Sequence, residues 1–271
     1  MTETLGHFIL TVIVFALAPG LIFGSFANVV IYRLPKKISI IKPPSACQSC
    51  GKRLGFSDLV PVFSWIFLRG RCRFCTAKIS PRYPLVELIC GFLFVSMAYH
   101  SPTLSAIPLF CLAFVLLTVS FIDWDTREIP DGLLIFGGAV GVLWVLGGRF
   151  FPALLPYSPS WQDALLGALV GGVPIFLIDK MTLFIVKKDG FGYGDVKLMI
   201  MTGVFLGWQA NLMALVLAVL SGAAYAVYLL ATGKAKRGAY IAFGPFLCGG
   251  AVASLLFGNA IISAYAHLFA L

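Results

Sequence analysis

Eight blocks of apolar residues, separated by short polar connections, constrain this 271-residue chain more than any other feature. They run approximately over His7–Ile31, Pro84–Tyr99, Leu104–Ile122, Leu133–Leu146, Ala164–Val186, Val196–Trp208, Leu212–Leu230 and Ile241–Leu271. Inside them the apolar residues are continuous and do not follow helix or strand periodicity, as befits segments that face lipid. Hydrophobic residues make up 60% of the chain and charged residues 11%, which excludes an ordinary soluble globular domain. The expected fold is an all-α polytopic membrane protein with about eight transmembrane helices. Several blocks fall short of the ~20 residues that a bilayer core asks for, so flanking residues must extend them.

The first block reads as a retained anchor. Met1–His7 carries Glu3 and no Lys or Arg, the apolar run exceeds a signal-peptide core, and no small-residue cleavage motif follows. Three regions result: the anchor over 1–31, a polar region over 32–83, and a membrane-embedded part over 84–271. The polar region holds eleven Lys or Arg against one acid, Asp58. Counted through alternate loops, Arg127, Lys187, Lys188, Lys197, Lys234, Lys236 and Arg237 fall on the same side. The positive-inside rule then places 32–83 in the cytoplasm and both termini outside. The formal charge of +9 reflects this asymmetry and contact with anionic lipid. Basic residues dispersed along membrane-proximal loops argue against a nucleic-acid partner.

The polar region contains Cys47-x2-Cys50 and Cys72-x2-Cys75, separated by twenty-one residues. Two such hooks can present four thiolates tetrahedrally to one Zn²⁺. Two disulfides or a redox pair are the competing readings, and the cytoplasmic placement speaks against disulfides. With four protein ligands the zinc would be structural, stabilising a segment too small to bury much core. Cys90, Cys111 and Cys248 lie in apolar blocks and read as small hydrophobes.

Two acids carry the expected chemistry. Asp123 ends the third block, and Asp195 opens the sixth within Gly192-Tyr193-Gly194-Asp195. Ionisable groups at membrane-helix ends are costly and mark functional sites. The topology puts both on the cytoplasmic side. A carboxylate pair sharing one proton can activate a water and protonate a scissile carbonyl, which is acid–base peptide hydrolysis. Asp125 is an alternative to Asp123 in the pair. Asp131 reads first as a helix cap, as does Asp163 for the fifth block. Gly190, Gly192 and Gly194 leave room for an extended backbone to approach.

These residues resemble the type IV prepilin peptidases, bifunctional leader peptidases and N-methyltransferases. The resemblance spans Gly24-Ser25-Phe26-Ala27-Asn28 through Pro35, the cysteine hooks, Asp58 to Trp65, and Ile79-Ser80-Pro81-Arg82-Tyr83-Pro84-Leu85-Val86-Glu87. It continues through the Asp123 loop, Gly192 to Lys197, and Phe243-Gly244-Pro245-Phe246-Leu247. Ala46 and Ala242 depart from residues that are often Pro in that family. The resemblance implies a GxGD-type aspartic protease fold in the bacterial inner membrane, with Asp123 and Asp195 as the catalytic pair. It implies type IV prepilins or pseudopilins as substrates, cut between Gly and Phe after a basic leader. It also implies methylation of the new N-terminus with S-adenosylmethionine, the 32–83 region being the methyltransferase part. Gly70, beside Cys72, is a candidate for close cofactor approach.

The stretch Asp123–Asp131 holds four acids and one Arg on an otherwise basic face. Asp125, Glu128 and Asp131 are therefore candidates, with Gly192 and Gly194, for contacting the substrate and its cationic leader. The competing function is a proton-coupled membrane transporter using intramembrane aspartates, although no inverted repeat is apparent.

Overall fold

The computed structural model describes residues 13–101, 103–186, 192–234 and 241–268. The start of the first expected span, Gly190, and the basic residues Lys187, Lys188, Lys236 and Arg237 lie outside these. The described chain is helical, with no strand among the described residues beyond two isolated β-bridges. It divides into two compact units, Met1–Pro102 and Thr103–Leu271.

In the first unit a π-helical turn, Ile13–Leu17, leads into α1, Ala18–Arg33. A 3-10 turn, Phe56–Asp58, and the short α2, Phe63–Phe67, belong to the polar region. Helix α3, Arg82–His100, packs back along α1. The α1–α3 seam is built on small residues. A Cβ on Gly20 would lie 2.7 Å from Cα of Gly91, and one on Gly24 would lie 2.6 Å from Cα of Glu87. Lipid gives apolar helices no hydrophobic reason to associate, so close backbone packing at glycines does that work. Asn28 closes the seam by donating to the Tyr83 carbonyl at 3.0 Å. The pairs 20/91, 24/87 and 28/83 make the helices antiparallel. Helix α3, grouped with the downstream region in the sequence reading, is packed within the first unit.

The second unit comprises α4 (Ala106–Thr126), α5 (Asp131–Phe150), α6 (Trp161–Val186), α7 (Tyr193–Ala231) and α8 (Gly244–Leu268). Helix α4 supplies much of its core, with Leu109, Leu112, Val115, Leu116, Val119 and Ile122 almost wholly buried. Helices α6 and α7 meet along glycines, Gly167 against Gly203 and Gly171 against the Met199 carbonyl. On α5, Gly137 faces Met201 and Gly141 faces Phe205, so α5 runs parallel to the first part of α7.

Helix α7 is not one straight rod. Gly207 leaves helical geometry at φ 73° and ψ 179°. Asn211 donates to the Met199 carbonyl at 3.0 Å and accepts from the Thr202 hydroxyl at 2.9 Å. Twelve residues of straight helix would separate Asn211 from Met199 by ~18 Å, so the chain folds back sharply at Gly207. Asn211 also donates to the Gly167 carbonyl at 2.9 Å, tying the fold-back to α6.

Six helices among the described residues are long and apolar enough to cross a membrane. That is fewer than the eight separate spans expected, for two reasons. The blocks Val196–Trp208 and Leu212–Leu230 are joined within α7, and in α8 (Gly244–Leu268) the apolar stretch counts only over Gly244–Gly258, where the side chains are described. Large apolar side chains such as Ile135, Leu143, Phe184 and Leu220 point outward, which suits a lipid-facing surface.

Candidate active site and metal centre

Asp123 and Asp195 belong to the few buried acids, at 5% and 6% exposure. Asp123 lies four residues before the end formed by Arg127, which turns out of α4 in the left-handed conformation at φ 58°. Its Oδ2 accepts the backbone N–H of Gly244 at 2.9 Å. Gly244 opens α8, so the positive end of that helix faces the Asp123 carboxylate. A Cβ on Gly244 would lie 2.7 Å from the same oxygen, and only glycine brings the N–H this close.

Asp195 sits in the first turn of α7 and closes that turn on itself. Its Oδ2 accepts the Gly192 N–H at 3.3 Å, while its own N–H donates to the Gly192 carbonyl at 3.0 Å. Each acid is therefore fixed by a backbone donor at a helix N-terminus. The charges of the two carboxylates act on one another, and both act on the buried thiol of Cys248 on α8. The Arg127 guanidinium also acts on Asp123. Two burial-enforced carboxylates in mutual electrostatic reach can hold one proton between them more easily than two charges.

The two candidate glycines differ. A Cβ on Gly194 would press on Cβ of Ile129 at 2.9 Å, so Gly194 lets the connection after α4 lie against the start of α7. Gly192 has φ −79° and ψ 147°, open to any residue, and an added Cβ would meet nothing nearer than 3.8 Å. Asp125 and Glu128 are exposed beside this connection. Asp131 makes no cap on α5. It forms an ion pair with Lys197 at 2.8 Å, linking α5 to the first turn of α7. Asp163 likewise does not cap α6. Ser160 takes that role, and Asp163 accepts the Trp208 N–H at 3.2 Å where α7 restarts after Gly207.

Sequence reading missed two contributors. Gly244 belongs to a quoted motif, but its contact with Asp123 spans 121 positions and leaves no local mark. Trp124, Tyr225 and Phe246 form an aromatic group next to Asp123, with ring centroids 6.0 and 5.5 Å apart. The nearness of Trp124 to Asp123 in the chain was the available signal.

In the first unit the four thiols of Cys47, Cys50, Cys72 and Cys75 lie within 4.8 Å of one another. Cys47 and Cys75 are 3.8 Å apart. Tetrahedral Zn–S bonds of ~2.3 Å place sulfurs ~3.8 Å apart, so the donor set fits zinc. All four cysteines are free, and 3.8 Å is far beyond a disulfide bond. The hooks repeat one design. Cys47 N–H donates to the Lys52 carbonyl and Cys72 N–H to the Ala77 carbonyl, both at 2.9 Å. Gly51 and Thr76 take the left-handed position after each hook. Backbone N–H groups of Cys50 and Ser49 hold the Cys47 thiol down to about 6. The Ala77 N–H pulls the Cys75 thiol down, but loss of water and the three neighbouring thiols push it up to about 11. A bound dication would keep all four ionised. Gly70 has φ +66°, and its missing Cβ would strike the Trp65 indole at 2.9 Å. Packing under Trp65 thus accounts for this glycine.

Taken together, these features define a helical membrane protein with two buried carboxylates in one unit and, in the other, a four-thiol cluster that could hold a metal ion. Residues 19–101 match the Bacterial Peptidase A24 N-terminal domain, and residues 110–227 match the Type IV leader peptidase family. Relatives named prepilin leader peptidase/N-methyltransferase include one from Stutzerimonas stutzeri, 34% identical, with 92% of each chain covered. One from Pseudomonas putida is 33% identical at the same coverage, and one from Aeromonas salmonicida (strain A449) is 34% identical over 91% of each chain. No solved structure matches the chain. The chain belongs to the type IV leader peptidase family.

Proposed function

We propose that this protein removes the basic leader from type IV prepilins or pseudopilins by an Asp123–Asp195 dyad, and methylates the N-terminus it exposes. The observation that carries the peptidase reading is the burial of two carboxylates at the ends of α4 and α7, each held by one backbone N–H. The ionised partner takes a proton from water as that water attacks the scissile carbonyl. The protonated partner donates to the carbonyl oxygen, and the shared proton returns to the leaving amine. Gly244 and Gly192 hold the carboxylates in place throughout. Gly194 lets the connection after α4, which carries Glu128 and follows Asp125, lie beside the dyad, where those acids meet the cationic leader.

Cleavage falls between Gly and Phe, at the cytoplasmic face of the bacterial inner membrane. Both termini lie in the periplasm, eight helical segments cross when α7 is counted on each side of Gly207, and the fold is of the GxGD type. The 32–83 region carries the methyl-transfer part, with zinc held by the four cysteines as a structural centre, and S-adenosylmethionine supplies the methyl group. The peptidase part lies within 84–271. A proton-coupled carrier would also bury carboxylates, but these two sit at helix ends and not at mid-helix.

The test is direct. Purified protein in lipid is given a synthetic peptide with a basic leader, a Gly-Phe junction and an apolar helix, and the products are read by mass spectrometry. A cut before Phe, and a methyl mass added only with S-adenosylmethionine, are expected. An intact peptide would reject the reading.

A further inference from the structure

The first unit contains a cavity of about 440 Å³ between the cysteine knuckle and the ends of α1 and α3. Small-molecule sites commonly enclose ~300–1,000 Å³. Its wall includes Asn28 and Arg33 from α1, Gln48 from the knuckle, Trp65 from α2, and Tyr83 and Glu87 from α3. The wall is held firmly. Gln48 donates to the Tyr83 hydroxyl at 3.2 Å, and Trp65 donates to the Ile79 carbonyl at 3.1 Å. Zinc at the four cysteines would fix one side of this cavity, since Cys47 and Cys72 also line it.

Glu87 is the unusual member. It is 8% exposed, in the second turn of an apolar helix, where a carboxylate is expensive. Its Oε2 accepts the Val62 N–H at 2.7 Å. Val62 itself has φ 62°, a conformation that β-branched residues rarely enter, in a tight turn closed by the Phe63 N–H donating to the Pro61 carbonyl at 2.6 Å. Strain of this kind gathers at functional sites. The Ser25 hydroxyl also reaches Glu87. A carboxylate offers about four acceptor positions, so these two donors leave capacity for a ligand.

We propose that this cavity holds the sulfonium methyl donor and that Glu87 receives the amine to be methylated. The proposal rests on the reading above, because the amine is the N-terminus left by leader removal. That N-terminus begins an apolar helix, so it lies at the membrane surface, the level at which α1 ends and α3 begins. Trp65 and Tyr83 supply flat faces for an adenine, and Arg33 supplies a cation for the donor's carboxylate. The other charged groups facing the cavity are Lys78 and the Asp58–Arg73 ion pair, at 2.8 Å. The ammonium gives one proton to Glu87. Its freed lone pair attacks the methyl carbon, and the carbon–sulfur bonding pair stays on sulfur, leaving a neutral thioether. The product is a secondary ammonium, and the Glu87 proton passes to water.

The test uses full-length, zinc-loaded protein in lipid nanodiscs, with zinc content and thermal unfolding as fold controls. Binding of radiolabelled S-adenosylmethionine is measured by equilibrium dialysis, and the fraction of cleaved peptide that becomes methylated by mass spectrometry. Val29→Trp, which pushes a ring into the cavity from α1, should weaken donor binding at least about tenfold. Glu87→Gln should keep donor affinity within about threefold but lower the methylated fraction about tenfold near pH 7, where only about a tenth of an amine of ordinary pKa ~8 is neutral. The deficit should shrink above about pH 9, where an ammonium of ordinary pKa ~8 has already lost its proton without help. Donor binding untouched by Val29→Trp overturns the cavity. A Glu87→Gln deficit that is absent, or constant with pH, overturns the role of Glu87. Wild-type protein that cuts and methylates the peptide while Val29→Trp leaves donor binding unchanged overturns the proposal alone; protein that cuts yet binds no donor overturns it together with the methyl-transfer reading; and protein that cuts nothing overturns the peptidase reading.

Discussion

The backbone N–H of Gly244 lies 2.9 Å from Oδ2 of Asp123, and a methyl group on Gly244 would have no room there. This contact joins the start of α8 to the end of α4 and aims a helix N-terminus at one acid. Gly244→Ala must displace the carboxylate or the helix. Misplacing a reacting group by about 1 Å costs on the order of 100-fold in rate. Cleavage should fall by at least that much, with zinc content unchanged. Steady-state peptide cleavage checks it.

Gly192 and Gly194 should respond differently to the same substitution. Gly194→Ala forces Cβ against Ile129 and should cut activity sharply. Gly192→Ala meets open space at an ordinary φ and should stay within about threefold on packing grounds alone. A large loss at Gly192 would mean that substrate backbone lies against it.

The acids after Asp123 should divide in the same way. Asp131 is already paired with Lys197, and an exposed pair is worth roughly 0–1 kcal/mol, so Asp131→Asn should change little. Glu128→Gln should weaken cleavage of basic-leader peptides at low salt and lose that effect as salt screens the charge. Cleavage rates across a salt series, for peptides of varied leader charge, provide the check.

Chelation should loosen the polar region, because four converging thiols without a cation lose their common partner. While the hooks keep their shape after the metal leaves, backbone N–H groups hold Cys47 down to about 6, and Cys75 is pushed up to about 11. Near neutral pH, above the one value and below the other, Cys47 is mainly thiolate and Cys75 mainly thiol. Iodoacetamide should therefore label Cys47 ahead of Cys75, read by mass spectrometry. Acid should favour metal release, as protons compete for the same sulfurs.

How far the sequence could be read depends on the range of each interaction. Spacing within a hook is local, and the four thiols cluster as two Cys-x2-Cys pairs suggest. The helical, apolar character was equally plain. The break between Val196–Trp208 and Leu212–Leu230 was visible as polarity around Gln209 and Asn211. Its geometry was not, since Asn211 closes the fold-back on Met199 and Gly167. Asp131 and Asp163 looked like caps for their own helices because capping is the local default. Their actual partners, Lys197 and the Trp208 N–H, are 66 and 45 positions away. Gly70 drew notice for its position beside Cys72, and the Trp65 indole that explains it is also a tertiary contact.

The central claim is that Asp123 and Asp195 act as one acid–base unit. Single-turnover cleavage of the prepilin peptide by Asp123→Asn, Asp195→Asn and the double variant tests it most directly. Each single variant should lose activity about as completely as the double, because a unit fails when either member is removed. Full-speed cleavage by either single variant, with fold and zinc intact, would contradict the claim.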